Sequence, residues 1–275
     1  MKSISCKNAL IIAGFDPSAG AGILADLKTL SAHGIYAQAC ITGLTVQSTG
    51  GIQATKALEA EWVRQTLKEL ADDTSFSVIK IGALFTSRLV AEIAAFLRNH
   101  GPVPVVCDPV LASTSGTQLL DSDGIELMQK ELLPHCDWLT PNWGELSVLA
   151  RMPVGNRSEA EQAGAELRAS FPQMTVVVTG GDQPSTDDLL LTPGREPEWI
   201  PGQRVDTKST HGTGCTFSSA LAARLVLLPE EPPVERVAAC KRYVEGAMLH
   251  AVPMGRGAGP LNHLWACDFA GTEER

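Results

Sequence analysis

Strand-like apolar runs alternate with helix-spaced segments from one end of the chain to the other. That alternation restricts the fold to helices packed on a mostly parallel sheet. The first pair sets the pattern. Residues 8–14 (Asn-Ala-Leu-Ile-Ile-Ala-Gly) form an apolar run closed by glycine, which suits a strand covered on both faces. Residues 23–33 then place Ile23, Leu27 and Leu30 on one helical face, and Gly34 ends the helix. Further strands are expected at 36–44, 76–81, 103–107, 135–140 and 175–181, with helices at 62–70, 87–100, 119–133, 141–149 and 159–170. A capping box from Ser158 to Glu161 starts the last of these helices, and residues 45–51 read as a polar loop. Residues 188–200 read as a hairpin at the far sheet edge, turning at Pro193-Gly194. A last helix covers 234–252, ahead of a mobile loop at 255–260. With no repeat or linker, residues 8–267 are expected to form one doubly wound α/β domain, with 1–7 and 268–275 frayed.

Composition narrows the class of partner. Across 275 residues, 44% apolar and 19% charged residues are ordinary for a globular enzyme, and the net charge of −9 argues against non-specific nucleic-acid binding. No apolar run approaches the ~20 residues that span a bilayer, and the polar residues 1–8 do not read as a secretory leader. Seven cysteines without a CxxC pair suit reduced thiols in a cytoplasm and speak against a structural zinc.

The stretch richest in chemistry is Thr207-Lys-Ser-Thr-His-Gly-Thr-Gly-Cys-Thr-Phe-Ser-Ser219. Gly212 and Gly214 let the backbone approach a ligand, and Thr213, Cys215, Thr216 and Ser218 crowd polar atoms around the turn. Phe217, Ala220, Leu221 and Leu225 then recur at helical spacing. A glycine-rich turn feeding a helix N-terminus offers unpaired amides and a positive dipole end, an anion site most often used for phosphate. The competing reading is a tight turn before a core helix, with Cys215 simply buried.

The other candidates follow strands or open helices. Asp16 is either a turn starter before Pro17 or an acceptor for a substrate hydroxyl or amine. Gln47 offers both donor and acceptor to a heterocycle edge, or is a surface amide. Asp108, ending a strand, suits work on Mg²⁺ or phosphate, or a cap. Asn142 and Glu145, three apart at a helix start, equally suit a capping pair. Gly20 and Gly22 begin a dinucleotide fingerprint that Ala25 breaks, which disfavours a nicotinamide oxidoreductase. In a doubly wound sheet such positions gather at the carboxyl edge.

Read together and in order, these segments resemble the ribokinase-like kinases, and within them the hydroxymethylpyrimidine/phosphomethylpyrimidine kinases of thiamine biosynthesis. The resemblance rests on Ala13-Gly-Phe-Asp-Pro-Ser-Ala-Gly-Ala-Gly22 with Ala25-Asp-Leu-Lys-Thr29, Thr45-Val-Gln-Ser-Thr49, Lys80-Ile-Gly82, Asp108-Pro-Val110, Thr140-Pro-Asn142 with Glu145, Thr210-His-Gly-Thr-Gly-Cys-Thr216 and Gly259-Pro-Leu-Asn-His263. It implies ATP- and Mg²⁺-dependent phosphorylation of a pyrimidine hydroxymethyl group and then of the monophosphate, by a homodimer. By resemblance, Gly212, Thr213 and Gly214 form the anion hole and Cys215 is the base. Asp16, Ala21, Gln47, Ala83 and Val110 match pyrimidine-pocket positions. Asn142 and Glu145, with Thr179 and Gly181, match the ATP and phosphate side, and Asp108 and Glu145 would hold Mg²⁺ through water.

Three residues depart from the family pattern. Ala83 stands where Met is usual, which implies a wider pocket and motivates a vitamin B6 kinase as the rival reading. Thr179 replaces a common Lys, and Ala258 a common His. A non-catalytic ligand-binding relative is a further alternative, and the intact Gly-Thr-Gly-Cys turn speaks against it.

Overall fold

The computed structural model describes residues 7–113, 116–181, 183 and 185–267. The expected fraying of 1–6 and 268–275 falls outside them, and Lys7 is exposed. β1 (Asn8–Phe15) leads into α1 (Gly22–Ala32), β2 (Tyr36–Ser48) and β3 (Gly51–Ala57). Next come α2 (Ala60–Asp73), β4 (Val78–Ile81), α3 (Ser87–His100), β5 (Val105–Cys107) and α4 (Ser122–Leu127). The second half runs β6 (Trp138–Leu139), α5 (Trp143–Ala150), α6 (Arg157–Ser170), β7 (Thr175–Val178), β8 (Asp188–Leu191), β9 (Glu198–Ile200), α7 (Thr213–Leu227) and α8 (Pro233–Leu249).

All nine strands join one sheet in the order β3-β2-β1-β4-β5-β6-β7-β8-β9. The run from β2 to β7 is parallel, whereas β3 at one edge and β8 and β9 at the other are antiparallel. Strand order reverses between β1 and β4. A reversal of this kind opens a crevice outside the carboxyl ends of the two strands, which is where such sheets bind ligands.

Strand periodicity divides the core in two. Leu10, Ile12, Ile79 and Ile81 face α2, α3, α5 and α6 through Leu67, Ile93, Leu146 and Leu167. Ala9, Ile11 and Val78 face α1, α7 and α8 through Leu30, Leu221 and Val237. Because successive side chains point to opposite faces, the wholly apolar Ala9–Ala13 run is what a doubly covered strand requires. This is the single, mostly parallel doubly wound sheet expected from the sequence, with helices on both faces and an edge hairpin.

Four local expectations are corrected. The segment 45–51 is not a polar loop: β2 continues to Ser48, turns at Thr49-Gly50 and pairs antiparallel with β3. Thr45, Gln47, Ser48 and Thr49 interrupt the apolar pattern there, which disguised the strand. The helix expected at 119–133 is regular only over α4, where Asp121 caps it by accepting from the Gly124 amide at 2.6 Å. A π turn at Met128–Leu132 and a 3₁₀ turn at Leu133–His135, containing Pro134, complete the segment. The cap of α6 is Asn156, accepting from Glu159 N at 3.0 Å, while Glu161 accepts from Trp199 Nε1 at 2.6 Å. The loop at 255–260 is tied down at both ends. Arg256 N donates to Thr49 Oγ1 at 3.1 Å, and Gly259 N donates to Lys208 O at 2.9 Å.

Candidate active site

α7 begins at the switch point with an abrupt entry. Its cap, Gly212, has φ +89°, and a Cβ there would collide with the Gly20 carbonyl, so only glycine fits the turn. The first α-helical bond runs from Thr216 N to Gly212 O at 2.9 Å, which leaves the Thr213, Gly214 and Cys215 amides without acceptors inside the helix. Three amides and the dipole of a 15-residue helix converge there, the geometry of an anion site.

Beneath this turn lies a charged network. Lys80 on β4 and Asp26 on α1 are both 0% exposed and pair at 2.9 Å, while Ser219 Oγ on α7 donates to Asp26 at 2.8 Å. Asp108, just past β5, lies 3.8 Å from Lys80 Nζ and accepts from Ser218 Oγ at 3.1 Å. The Cys215 thiol lies beside the Asp108 carboxylate and the Gly22 amide, and both bear on its charge. Burial pushes Asp108 up, against the opposing pull of Lys80. Burial works to lower Lys80, but the nearby carboxylates of Asp26 and Asp108 outweigh it and keep the ammonium protonated. Cys215 is densely surrounded yet partly open to solvent, and that burial raises its thiol well above the usual range despite Lys80. A bare helix terminus predicts a lowered thiol. Here desolvation and two carboxylates reverse the sign.

The second cluster sits on the β1 side. Asp16 accepts from Ser18 N at 2.8 Å, Ser18 Oγ at 2.7 Å, Ala21 N at 3.0 Å and His211 Nε2 at 2.7 Å. Burial would raise this carboxyl, but His211 and the Ser18 and Ala21 donors hold it at about 2. Gln47 Nε2 lies 3.0 Å from the same His211 nitrogen, and Gln47 Oε1 lies 3.0 Å from Thr45 Oγ1. One Nε2–H cannot serve Asp16 and also accept from an amide. Turning the Gln47 amide resolves this: its oxygen faces the imidazole, and its nitrogen donates to Thr45, whose hydroxyl reaches Phe15 O at 3.2 Å.

Because the folded-state pKa of Asp16 is depressed, its stabilisation is present above the unfolded value near 3.8 and fades as pH falls toward about 2. Asp16→Asn is therefore expected to cost roughly 2 kcal/mol at neutral pH, and to narrow its deficit against wild type below about pH 4. Urea melts across the acid range check this, and a deficit independent of pH would contradict it.

A third cluster lies along the β6 and β7 edge. Asn142 Oδ1 accepts from Glu145 N at 2.9 Å and Glu145 Oε2 accepts from Asn142 N at 2.8 Å, so the pair is a complete capping box. Thr179 bridges to Asn142 and donates its amide to Pro141 O at 2.9 Å. Gly181 lies exposed beyond it. Val110 N donates to Asp108 O at 2.8 Å, and Ala83 O accepts from Thr42 Oγ1 at 2.6 Å, which sets both residues at the carboxyl edge. Among the described residues no group of three His, Cys, Asp or Glu side chains is placed to hold a metal.

The sheet thus brings Asp16, Ala21 and Gln47 together around His211, and Asp108, Gly214 and Cys215 together over Lys80. Sequence reasoning assigned no role to His211, Lys80 or Asp26. Lys80 carried one usable signal, a charge inside an otherwise apolar strand.

The sheet and its switch-point turn match solved ribokinase-like kinases, which are phosphotransferases. The model of the phosphomethylpyrimidine kinase family matches residues 16–262, and the chain belongs to that family. It is 39% identical over 263 residues to a hydroxymethylpyrimidine/phosphomethylpyrimidine kinase of Rhizobium meliloti (strain 1021), covering 93% of this chain and 96% of the relative. Among solved structures, it is similar to the phosphomethylpyrimidine kinase of Clostridium difficile 630, with a TM-score of 0.74, 30% identity, and coverage of 87% and 98%. A Bacillus subtilis pyridoxal kinase in complex with ADP matches at TM-score 0.82 and 28% identity, with coverage of 94% and 98%.

Proposed function

We propose that this protein transfers the γ-phosphoryl group of ATP to 4-amino-5-hydroxymethyl-2-methylpyrimidine and then to its monophosphate, yielding the pyrimidine diphosphate used to make thiamine. The observation that carries this is the α7 turn, with Cys215 in the first turn of a helix whose first three amides have no acceptor within it. In this reading 8–267 acts as one kinase domain, in a cytoplasmic homodimer. No described helix is long and apolar enough to cross a membrane.

ATP supplies the phosphoryl group, and phosphoryl transfer demands mainly positioning and neutralisation of charge. The amides of Thr213, Gly214 and Cys215 receive the group in flight, and Cys215 accepts the acceptor's hydroxyl proton. Asp16, Ala21, Gln47, Ala83 and Val110 position the pyrimidine. Asn142, Glu145, Thr179 and Gly181 border the nucleotide phosphates. The oxygen donors Asp108 and Glu145 suit Mg²⁺, a hard cation that takes one or two carboxylates and keeps several waters. The capping box fits this role too, since it engages Glu145 Oε2 and fixes the side chain.

The likeness to pyridoxal kinases and the small Ala83 support a vitamin B6 kinase as the second reading. Parallel assays with the pyrimidine alcohol and pyridoxal decide the matter. A larger kcat/KM for the pyrimidine is expected. Turnover of pyridoxal alone would transfer the chain to the second reading, and turnover of neither would remove the kinase reading.

A further inference from the structure

Phe85 has no part in the chemistry described so far. It follows β4 at the carboxyl edge, two residues past Ala83, with φ +66°. A bulky side chain in the left-handed region is strained and persists only where its surroundings fix it. Those surroundings are specific. Gly14 on β1 pairs directly with Gly43 on β2, immediately after a register shift that skips Thr42. The Phe85 ring lies on this glycine pair. A Cβ at Gly14 would stand 2.9 Å from the ring tip, and one at Gly43 would stand 2.7 Å from the ring edge. The skipped Thr42 donates its hydroxyl to the Ala83 carbonyl at 2.6 Å, pinning the segment down over the bulge. The Ala83 methyl approaches the same Gly14 position at 3.7 Å.

Ring and methyl therefore share one niche. A long side chain at 83 would compete with the ring for it. Gly14 leads directly to Asp16, and Gly43 leads along β2 to Gln47, so the niche lies at the root of the acceptor pocket.

We infer that Phe85 is a specificity-determining residue: seated on the Gly14–Gly43 pair, its ring supplies the pocket wall that Ala83 lacks and favours a compact pyrimidine alcohol over a more heavily substituted pyridine alcohol. This rests on the kinase reading above. A ring that only filled the core would alter stability and leave substrate preference alone.

The test is the ratio of kcat/KM for the pyrimidine alcohol to that for pyridoxal, measured with ATP in wild type, Phe85→Gly, Ala83→Met and the double variant. Glycine accepts the backbone conformation without strain, so Phe85→Gly isolates the ring. The ratio is expected to fall about tenfold or more in Phe85→Gly, the scale of changing a few apolar groups in a pocket. Ala83→Met alone is expected to impair both acceptors by crowding the ring, and the double variant to recover the pyrimidine preference. Phe85→Leu, which keeps an apolar filler, gives the same readout should the glycine variant fail to fold. A ratio within about twofold of wild type in the Phe85 variants, without recovery in the double variant, would overturn the inference and leave the kinase reading standing. Wild-type turnover of neither acceptor would overturn both.

Discussion

Cys215→Ala is expected to lower kcat by roughly 10²–10⁴, the usual contribution of a positioned acid or base, with little change in KM for ATP. The thiol sits in the first turn of α7, beside the Gly22 amide and the Asp108 carboxylate. A methyl at this position leaves the three amides and the helix dipole in place, so nucleotide binding survives while proton removal does not. The pH profile gives a second readout. Burial raises the thiol, so the reactive thiolate grows as pH rises from neutrality. Wild-type kcat/KM should climb into the alkaline range, and the residual activity of Cys215→Ala should not follow it. Loss of ATP binding in Cys215→Ala would instead show that the residue shapes the turn.

Lys80→Met is expected to cost about 3–5 kcal/mol of stability and to lower Tm by roughly 10 °C. The side chain is 0% exposed, paired with the equally buried Asp26 and close to Asp108. Removing the ammonium strands two carboxylates in an interior where an unpaired charge is very costly. Lys80→Met with Asp26→Asn removes one of these charges and should regain part of the loss. Thermal unfolding of the two single variants and the double variant checks this, and additive losses would show that the pair is not coupled. The network underlies the anion turn, so Lys80→Met should also weaken activity more than its residual folded fraction explains.

Much of the fold was legible because its determinants are local. A run such as Ala9–Ala13 has only one comfortable place, between two helical layers, and the Gly212-Thr-Gly-Cys215 turn announces its helix and its anion site within a few residues. What stayed hidden depends on partners distant in sequence. Lys80 meets Asp26 across 54 positions and Asp16 meets His211 across 195, spans that periodicity cannot bridge. The left-handed Phe85 is invisible for the same reason, since it exists to satisfy a glycine pair contributed by two other strands. β3 escaped because an exposed edge strand needs no apolar face. Asn142 and Glu145 read equally as cap or phosphate-side pair. The observed capping box shows what holds them, while their part in catalysis belongs to the proposal.

The most direct test of the proposed activity is incubation of the purified protein with ATP, Mg²⁺ and the pyrimidine monophosphate, with the product identified by mass. A B6 kinase has no use for a second phosphorylation at a phosphate already in place. Wild type is expected to convert the monophosphate to the pyrimidine diphosphate, and Cys215→Ala to lose this conversion. A protein that phosphorylates the alcohols but leaves the monophosphate unchanged would contradict the proposal.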